Sequence, residues 1–333
     1  MLTPYDSAML WDSIEGSLRK LSSSTRRTYK ADFVRFLKWG GYDYYSADGA
    51  AWIKSLDSSD IDNYHEHLKT LPGISTRRDL KAGDIMKVEP LAPATIGRYL
   101  ASISKIFGKL QRLGIIERNP VDFSDLNVEA PGRRMKRPTE YLSMNEIKSM
   151  LEVEIGYGCM ARARDRAMIS ILGGGGLRLK EACSLTIGDY QVIGQDNQGQ
   201  EIKALRIKAS KGKPDDFAPL APWAVPWLDA YLSERRMAGG CLDPDDPLLT
   251  AYGSGNRFFT PNGAWRRFKE YCRAIGRPNA HPHSARKSAI TEFYEQTKDI
   301  ALTAEYARHT SIETTRRYIY KNKSQVMAAL RRY

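Results

Sequence analysis

Apolar side chains recur at three- and four-residue intervals over much of the chain, as helices that bury one face require. Tyr29, Phe33, Phe36 and Leu37 form such a stripe behind Ser22-Ser23-Ser24, whose hydroxyls suit a helix N-cap, and Gly40-Gly41 ends it. A second helix is expected over Ser59 to Leu68. A third begins near Pro93, with Ile96, Tyr99, Leu100, Ile103, Phe107 and Leu110 on one stripe, and Asn119-Pro120 closes that run. Strand signals are scarce before residue 130, so residues 1–130 read as a small helical domain. From Asp122 the periodicity lapses, and residues 131–138 gather Pro131, Gly132, Arg133, Arg134, Lys136, Arg137 and Pro138, the composition of a basic interdomain linker. A second domain is expected over residues 139–333, opening with Ser143 as the cap of a helix that carries Ile147, Met150 and Leu151. Between Gln191 and Pro219 the pattern alternates and turns, at Asp196-Asn197-Gln198-Gly199 and at Lys211-Gly212-Lys213-Pro214, which predicts a small antiparallel sheet. Helical periodicity resumes after Pro222. The fold class is therefore mainly α with a small antiparallel β-sheet.

Charge adds a partner to this picture. The formal net charge is +12, and its distribution is uneven: residues 1–130 hold 18 Lys and Arg against 17 Asp and Glu, the rest of the chain 33 against 22. A basic excess favours a polyanion, because each neutralised phosphate releases counterions, although it serves solubility as well. In the first domain, Arg26, Arg27, Lys30, Arg98 and Lys105 lie on polar faces that could meet phosphates or simply water, and the basic linker could lie along a DNA backbone. Cys159, Cys183, Cys241 and Cys272 are far apart, with no C-x-x-C pair, and read as buried free thiols. The amino terminus has no basic leader followed by an apolar core, and no stretch approaches the length of a membrane span, so a cytoplasmic protein is expected.

Cleaving a phosphodiester without a metal requires cations around its non-bridging oxygens and a proton for the departing oxygen. Arginine suits the first task, because its planar fork stays charged and binds phosphate in a bidentate way. Arg178 follows the glycine run Gly173 to Gly176, which could let backbone approach a ligand, and precedes a helix through Glu181, Ala182 and Leu185. An arginine beside glycines is, by itself, ordinarily structural. His283 and Arg286 are spaced to share one face of a helix, one turn apart, so both can address one phosphate. His281-Pro-His283 lacks the acidic or cysteine partners of a metal site, so no metal is expected.

The islands Gly176-Leu177-Arg178-Leu179-Lys180-Glu181, Ser210-Lys211-Gly212-Lys213, His283-Ser284-Ala285-Arg286, His309 and Tyr318, in that order and spacing, resemble the tyrosine recombinase family, phage integrases and Xer-type enzymes among them. Ser24-Thr25-Arg26-Arg27-Thr28-Tyr29 and the stretch from Thr95-Ile96 to Asn119-Pro120 are similar to the family's core-binding domain. The resemblance implies a two-domain DNA clamp, with Arg178 and Arg286 binding the scissile phosphate, His283 sharing in proton handling, His309 contacting the same phosphate and Glu181 supporting the site. It implies Lys211 as general acid on a β-hairpin, with Lys208 and Lys213 as close alternatives, and Tyr318 as the nucleophile, with Tyr320 as its decoy among eighteen tyrosines. Two departures stand out: Ala307-Arg308 replaces the usual Leu-Gly before the second histidine, affecting the local turn more than the chemistry, and Pro214-Asp215-Asp216 replaces the usual Lys-x-Arg. The implied activity is site-specific recombination of double-stranded DNA through a 3′-phosphotyrosine and a Holliday junction, without cofactor or ATP. The implied assembly is a tetramer on two sites, with the helix after Ser324 docking on a neighbouring protomer, or else folding back on its own domain. A type IB topoisomerase and a catalytically silent DNA-binding accessory protein are the rival readings.

Overall fold

The computed structural model describes residues 4–73, 90–121, 140–155, 158–209, 214–240, 242–251 and 256–316. The chain divides into two units, residues 1–137 and 138–333. In the first, α1 (Pro4–Arg19), α2 (Ser23–Trp39), α3 (Ala47–Ser55), α4 (Ser58–Thr70) and α5 (Pro93–Arg112) surround one core. The expected cap forms: Ser22 Oγ accepts from the Thr25 amide at 3.3 Å, and α2 stops at Gly40. Phe33, Phe36, Tyr64 and Phe107 are fully buried and pack edge to face, Phe36 and Tyr64 with ring centroids 4.9 Å apart. Helices α1 and α3 add to the sequence-based outline. The stripe of α1, Leu10, Trp11, Ile14 and Leu18, is buried in the same core.

The second unit is built around α7 (Cys159–Gly174), which packs against α6 (Met144–Glu152), α9 (Val225–Met237), α10 (Pro261–Ala274) and α11 (Pro282–Thr297). The helix carries an ionic cluster as well as apolar contacts. Asp165 is fully buried and bound by Arg164 at 2.7 Å and by Arg267 of α10 at 2.6 Å, so each buried charge has a partner. After α7 come the single turn α8 (Leu179–Ala182) and an antiparallel sheet of β1 (Tyr190–Gln195), β2 (Glu201–Ile207) and β3 (Asp216–Pro219) in the order β1-β2-β3. Tyr190 faces Leu205, and Ile207 faces Asp216, so Lys211 belongs to the connection between β2 and β3. Past α11, α12 (Ile300–Tyr306) and α13 (Ile312–Arg316) complete the described chain.

Three expectations are corrected. The glycines from Gly173 to Gly176 are buried and make room for protein: a Cβ at Gly173 would press on Ile147 at 2.8 Å, and one at Gly174 would collide with Ala224. They serve helix packing, not approach to a ligand. The helix after Arg178 ends at Ala182, short of Leu185, because the chain must turn into the sheet. Cys159 is exposed at the first turn of α7, whereas Cys183 and Cys272 are buried free thiols as expected; Cys241 lies outside the described residues.

Candidate active site

Three short segments of the second unit converge: the α7–α8 turn, the start of α11, and the α12–α13 turn. Gly176 has φ +61°, a left-handed value that glycine adopts freely, and this kink aims its carbonyl at α11. Arg286, fully buried on α11, donates to that carbonyl through Nη1, to the Ala307 carbonyl through Nη2 at 2.6 Å, and to His309 Nε2 at 3.3 Å. One guanidinium thus ties all three segments together. Because an arginine only donates, His309 Nε2 accepts, and the proton of the neutral ring sits on Nδ1, which donates to Thr315 Oγ1 of α13 at 2.9 Å.

Arg178 and Glu181 form the second part. Glu181 Oε2 accepts from the Arg178 amide at 2.8 Å, capping α8, while Oε1 pairs with Arg178 Nη1 at 2.7 Å. The Arg178 side chain remains half exposed, at 51%, so its remaining donors face the cleft. Arg308 pairs with Glu181 Oε2 at 3.0 Å. Burial acts to raise the Glu181 carboxyl, but the bonds from Arg178 and the charges of Arg308 and Arg178 outweigh it and hold the group below its ordinary value. The carboxylate is therefore ionised at neutral pH and acts as a brace.

A cleft of about 420 Å³ opens above these groups, lined by Arg178, Lys180, Asn262, Trp265, His281, His283 and Arg286, with Pro261 and Pro282 at its edge. The N-termini of α10 and α11 both end there, adding partial positive charge to that of the side chains. Burial, then the charges of Arg286, Arg178, Arg308 and His283, push His309 down to about 4. Burial, then Arg286, His281, Arg178 and Lys287, lower His283 as well, and burial with Lys269 lowers His281. All three rings are neutral at pH 7 in a field built to attract an anion.

The same shifts give a stability prediction. Unfolded histidines titrate near 6.5, whereas the folded unit resists protonation until lower pH, so between those values the unfolded chain binds more protons. Stability is full above pH 6.5 and is lost as pH falls toward 4. Thermal unfolding followed by circular dichroism should show a melting midpoint several degrees lower at pH 4.5 than at pH 7, with a shallower fall in His309→Gln.

Arg178, Glu181, His283, Arg286 and His309 are thus brought into one place. Lys211 and Tyr318 lie outside the described residues, as do Lys213, Tyr320, the linker cations Arg133, Arg134, Lys136 and Arg137, and the segment after Ser324. Lys208 is within them, paired with buried Asp189 at 3.4 Å beside Arg206 at 3.0 Å. Asp189 therefore anchors the β2 end of the connection that carries Lys211. Lys180, Asn262 and Trp265 were not singled out from sequence. Thr260-Pro261 marks the start of α10, but nothing local links that helix end to a cleft formed with residues 178–180. In the first unit, Arg26, Arg27 and Arg98 are exposed and Lys30 is half-buried; Lys30 pairs with Glu15 at 2.5 Å and Arg98 with Asp32 at 2.5 Å. Lys105 shares a 260 Å³ cleft with Lys20, Lys109 and Arg112, cations that sequence alone did not group.

The model of the phage integrase family matches residues 140–325 of this chain. A tyrosine recombinase of Thermosipho africanus is 27% identical over 304 residues, covering 91% of this chain and 90% of the relative, and tyrosine recombinase XerD of Oceanobacillus iheyensis is 27% identical, covering 80% and 86%. Among solved structures, the XerH site-specific recombinase in a post-cleavage complex with its difH substrate aligns with a TM-score of 0.65 at 20% identity, over 92% of this chain and 78% of that one. The Tn1549 transposon integrase with circular intermediate DNA also aligns at 0.65, with 16% identity, over 96% and 98%. These structural likenesses bear on the fold, mostly helical with one small antiparallel sheet.

Proposed function

Since the chain belongs to the phage integrase family, we propose that its cationic cleft holds the scissile phosphate of a DNA site and that the chemistry runs through the residues assembled around it. The protein is a tyrosine recombinase: it cleaves and rejoins DNA strands by transesterification and acts in site-specific recombination. DNA is its partner, and no helix among the described residues is long and apolar enough to cross a membrane. Neither a relaxing topoisomerase nor a silent accessory protein has support among the relatives that the chain matches.

The observation that carries the site assignment is the convergence of Arg178, His283, Arg286 and His309 on one face, with both histidines neutral and the arginines charged. In our reading, Arg178 and Arg286 neutralise the non-bridging oxygens, which otherwise repel a nucleophile. Tyr318 attacks phosphorus, the bond to the 5′ oxygen breaks, and Lys211 supplies the proton to that leaving oxygen. Neutral His283 accepts the phenolic proton, and His309 contacts the same phosphate. The product is a 3′-phosphotyrosine and a free 5′-hydroxyl. Ester energy is retained in that bond, so a 5′-hydroxyl from a second DNA can reverse the step without ATP or metal. Lys208 suits the acid role less well, because Asp189 already holds its ammonium. Exchange in a tetramer through a Holliday junction, docking of the segment after Ser324 on a neighbouring protomer, DNA contacts by the linker and first-unit cations, and residence in the cytoplasm belong to the same proposal.

The test is capture of covalent adducts in SDS from a pool of nicked duplexes with randomised cores, in the presence of EDTA. Adducts that survive denaturation, enrich a defined sequence and map to the Tyr318 peptide are expected. Linkage through serine, or dependence on a divalent metal, would overturn the reading. On the enriched duplex, Lys211→Ala should cleave about 100-fold more slowly, an ordinary loss for a general acid. A 5′-bridging phosphorothioate, whose sulfur leaves without a proton, should restore its rate. Absence of rescue would move the acid to another group.

A further inference from the structure

The residue immediately before His309 occupies a position that its backbone does not suit. Arg308 has φ +53°, left-handed and strained for any residue with a Cβ. A glycine would serve the turn alone. Arginine is there with its side chain only 6% exposed and its Nη2 on Glu181 Oε2 at 3.0 Å, the oxygen that also receives the Arg178 amide. The turn is held on both sides: the Arg308 amide donates to Glu305 at 2.8 Å, and the carbonyl of the preceding Ala307 receives Arg286 at 2.6 Å. The strained backbone is thus fixed, and its side chain is committed to the brace of Arg178.

The charge count shows what this commitment does. Glu181 alone would neutralise Arg178, pairing it charge for charge and holding its fork away from an incoming anion. A second cation on the same carboxylate leaves one net positive charge in the group while keeping both Glu181 oxygens fixed. Arg308 also acts on His309 through its charge.

We propose that Arg308 is a positioning residue for strand cleavage: by sharing Glu181 with Arg178 it fixes the Arg178 fork and leaves that fork charged for the scissile phosphate. This rests on the transesterification reading above. It extends the sequence-level view of Ala307-Arg308 as chiefly a change of turn: the left-handed turn is kept, and the side chain enters the site.

The test uses the full chain and the duplex enriched by adduct capture, measuring single-turnover cleavage and duplex binding separately. Arg308→Met keeps the length of the buried stem without its charge. It should cleave about tenfold more slowly, with binding changed by less than about twofold, and the loss should nearly vanish in a Glu181→Gln background, because the two residues act as one unit. Arg308→Lys should recover part of the rate. Wild-type cleavage by the methionine variant, or an equal loss in both backgrounds, would overturn the proposal, the latter showing a structural role independent of Glu181. Thermal melting identifies a variant that fails to fold; in that event Arg308→Gly, suited to the left-handed turn, stands in its place under the same criteria. If wild type itself yields no adduct, the transesterification reading falls, and this inference with it.

Discussion

Tyr318→Phe should abolish the SDS-resistant protein–DNA adduct while leaving duplex binding within about twofold, because the substitution removes one oxygen and no charge. Loss of a nucleophile removes the covalent route altogether, so a fall of about four orders of magnitude or more is expected. The phenol is a poor nucleophile at neutral pH, with an ordinary pKa near 10. On the proposed assignment the cleft would supply what it lacks, with cationic Arg178 and Arg286, neutral His283 beside them, and two helix N-termini. Tyr320→Phe, two residues on, should retain the adduct. Denaturing gels of both variants against wild type decide the matter, and an adduct that persists in Tyr318→Phe and disappears in Tyr320→Phe would reassign the nucleophile. Tyr306 offers a contrast within the described chain. Its hydroxyl donates to the Gly174 carbonyl at 3.3 Å, its ring stacks on Phe293, and burial pushes its pKa up to about 12. That tyrosine is a packing residue despite lying close to the site.

The elements legible in the sequence were those whose signals are local. Ser22 and Gly40 bound α2, Pro93 opens α5, Ser143 caps α6, and alternation between Gln191 and Pro219 becomes three strands, because caps, prolines and periodicity act within a few residues. The His283–Arg286 pair on one helix was legible for the same reason: a spacing of three fixes a shared face. The remaining features depend on distant partners. The glycine run reads identically whether it faces a ligand or a neighbouring helix, and only the positions of Ile147, Ala224 and Tyr306 distinguish the two. Likewise, the pairing of Lys30 with Glu15 and Arg98 with Asp32 joins separate helices, so these carboxylate partners could not be read from the basic residues of α2 and α5 alone. Trp265 and Asn262 reach the cleft only because α10 ends beside residues 178–180.

Arg286→Lys should lower strand cleavage by about 1,000-fold, although it preserves charge, and should do so with a smaller loss of stability than Arg286→Ala. The argument turns on geometry. Arg286 divides its donors among the Gly176 carbonyl, the Ala307 carbonyl and His309 Nε2, three acceptors on two segments separated in sequence by more than a hundred residues. Lysine offers one nitrogen at the end of a flexible stem and cannot span that set, so the α12–α13 turn and His309 lose their common anchor. Removing a single preorganised donor to a transition-state oxyanion costs about 100- to 1,000-fold, and the same change also frees His309, which on the proposed assignment contacts the same phosphate. Arg286→Ala deletes the charge as well as the anchor and leaves buried carbonyls unsatisfied, so it should add a loss of about 1–3 kcal/mol in folding stability for each group left unpaired. Arg178→Lys provides the comparison: its side chain is half exposed and, among the described residues, anchors to Glu181, so it should cost cleavage with little change in melting. Single-turnover cleavage and thermal melting of the three variants separate the two contributions. Equal melting of wild type and Arg286→Ala would show that the three segments are held by something other than this guanidinium.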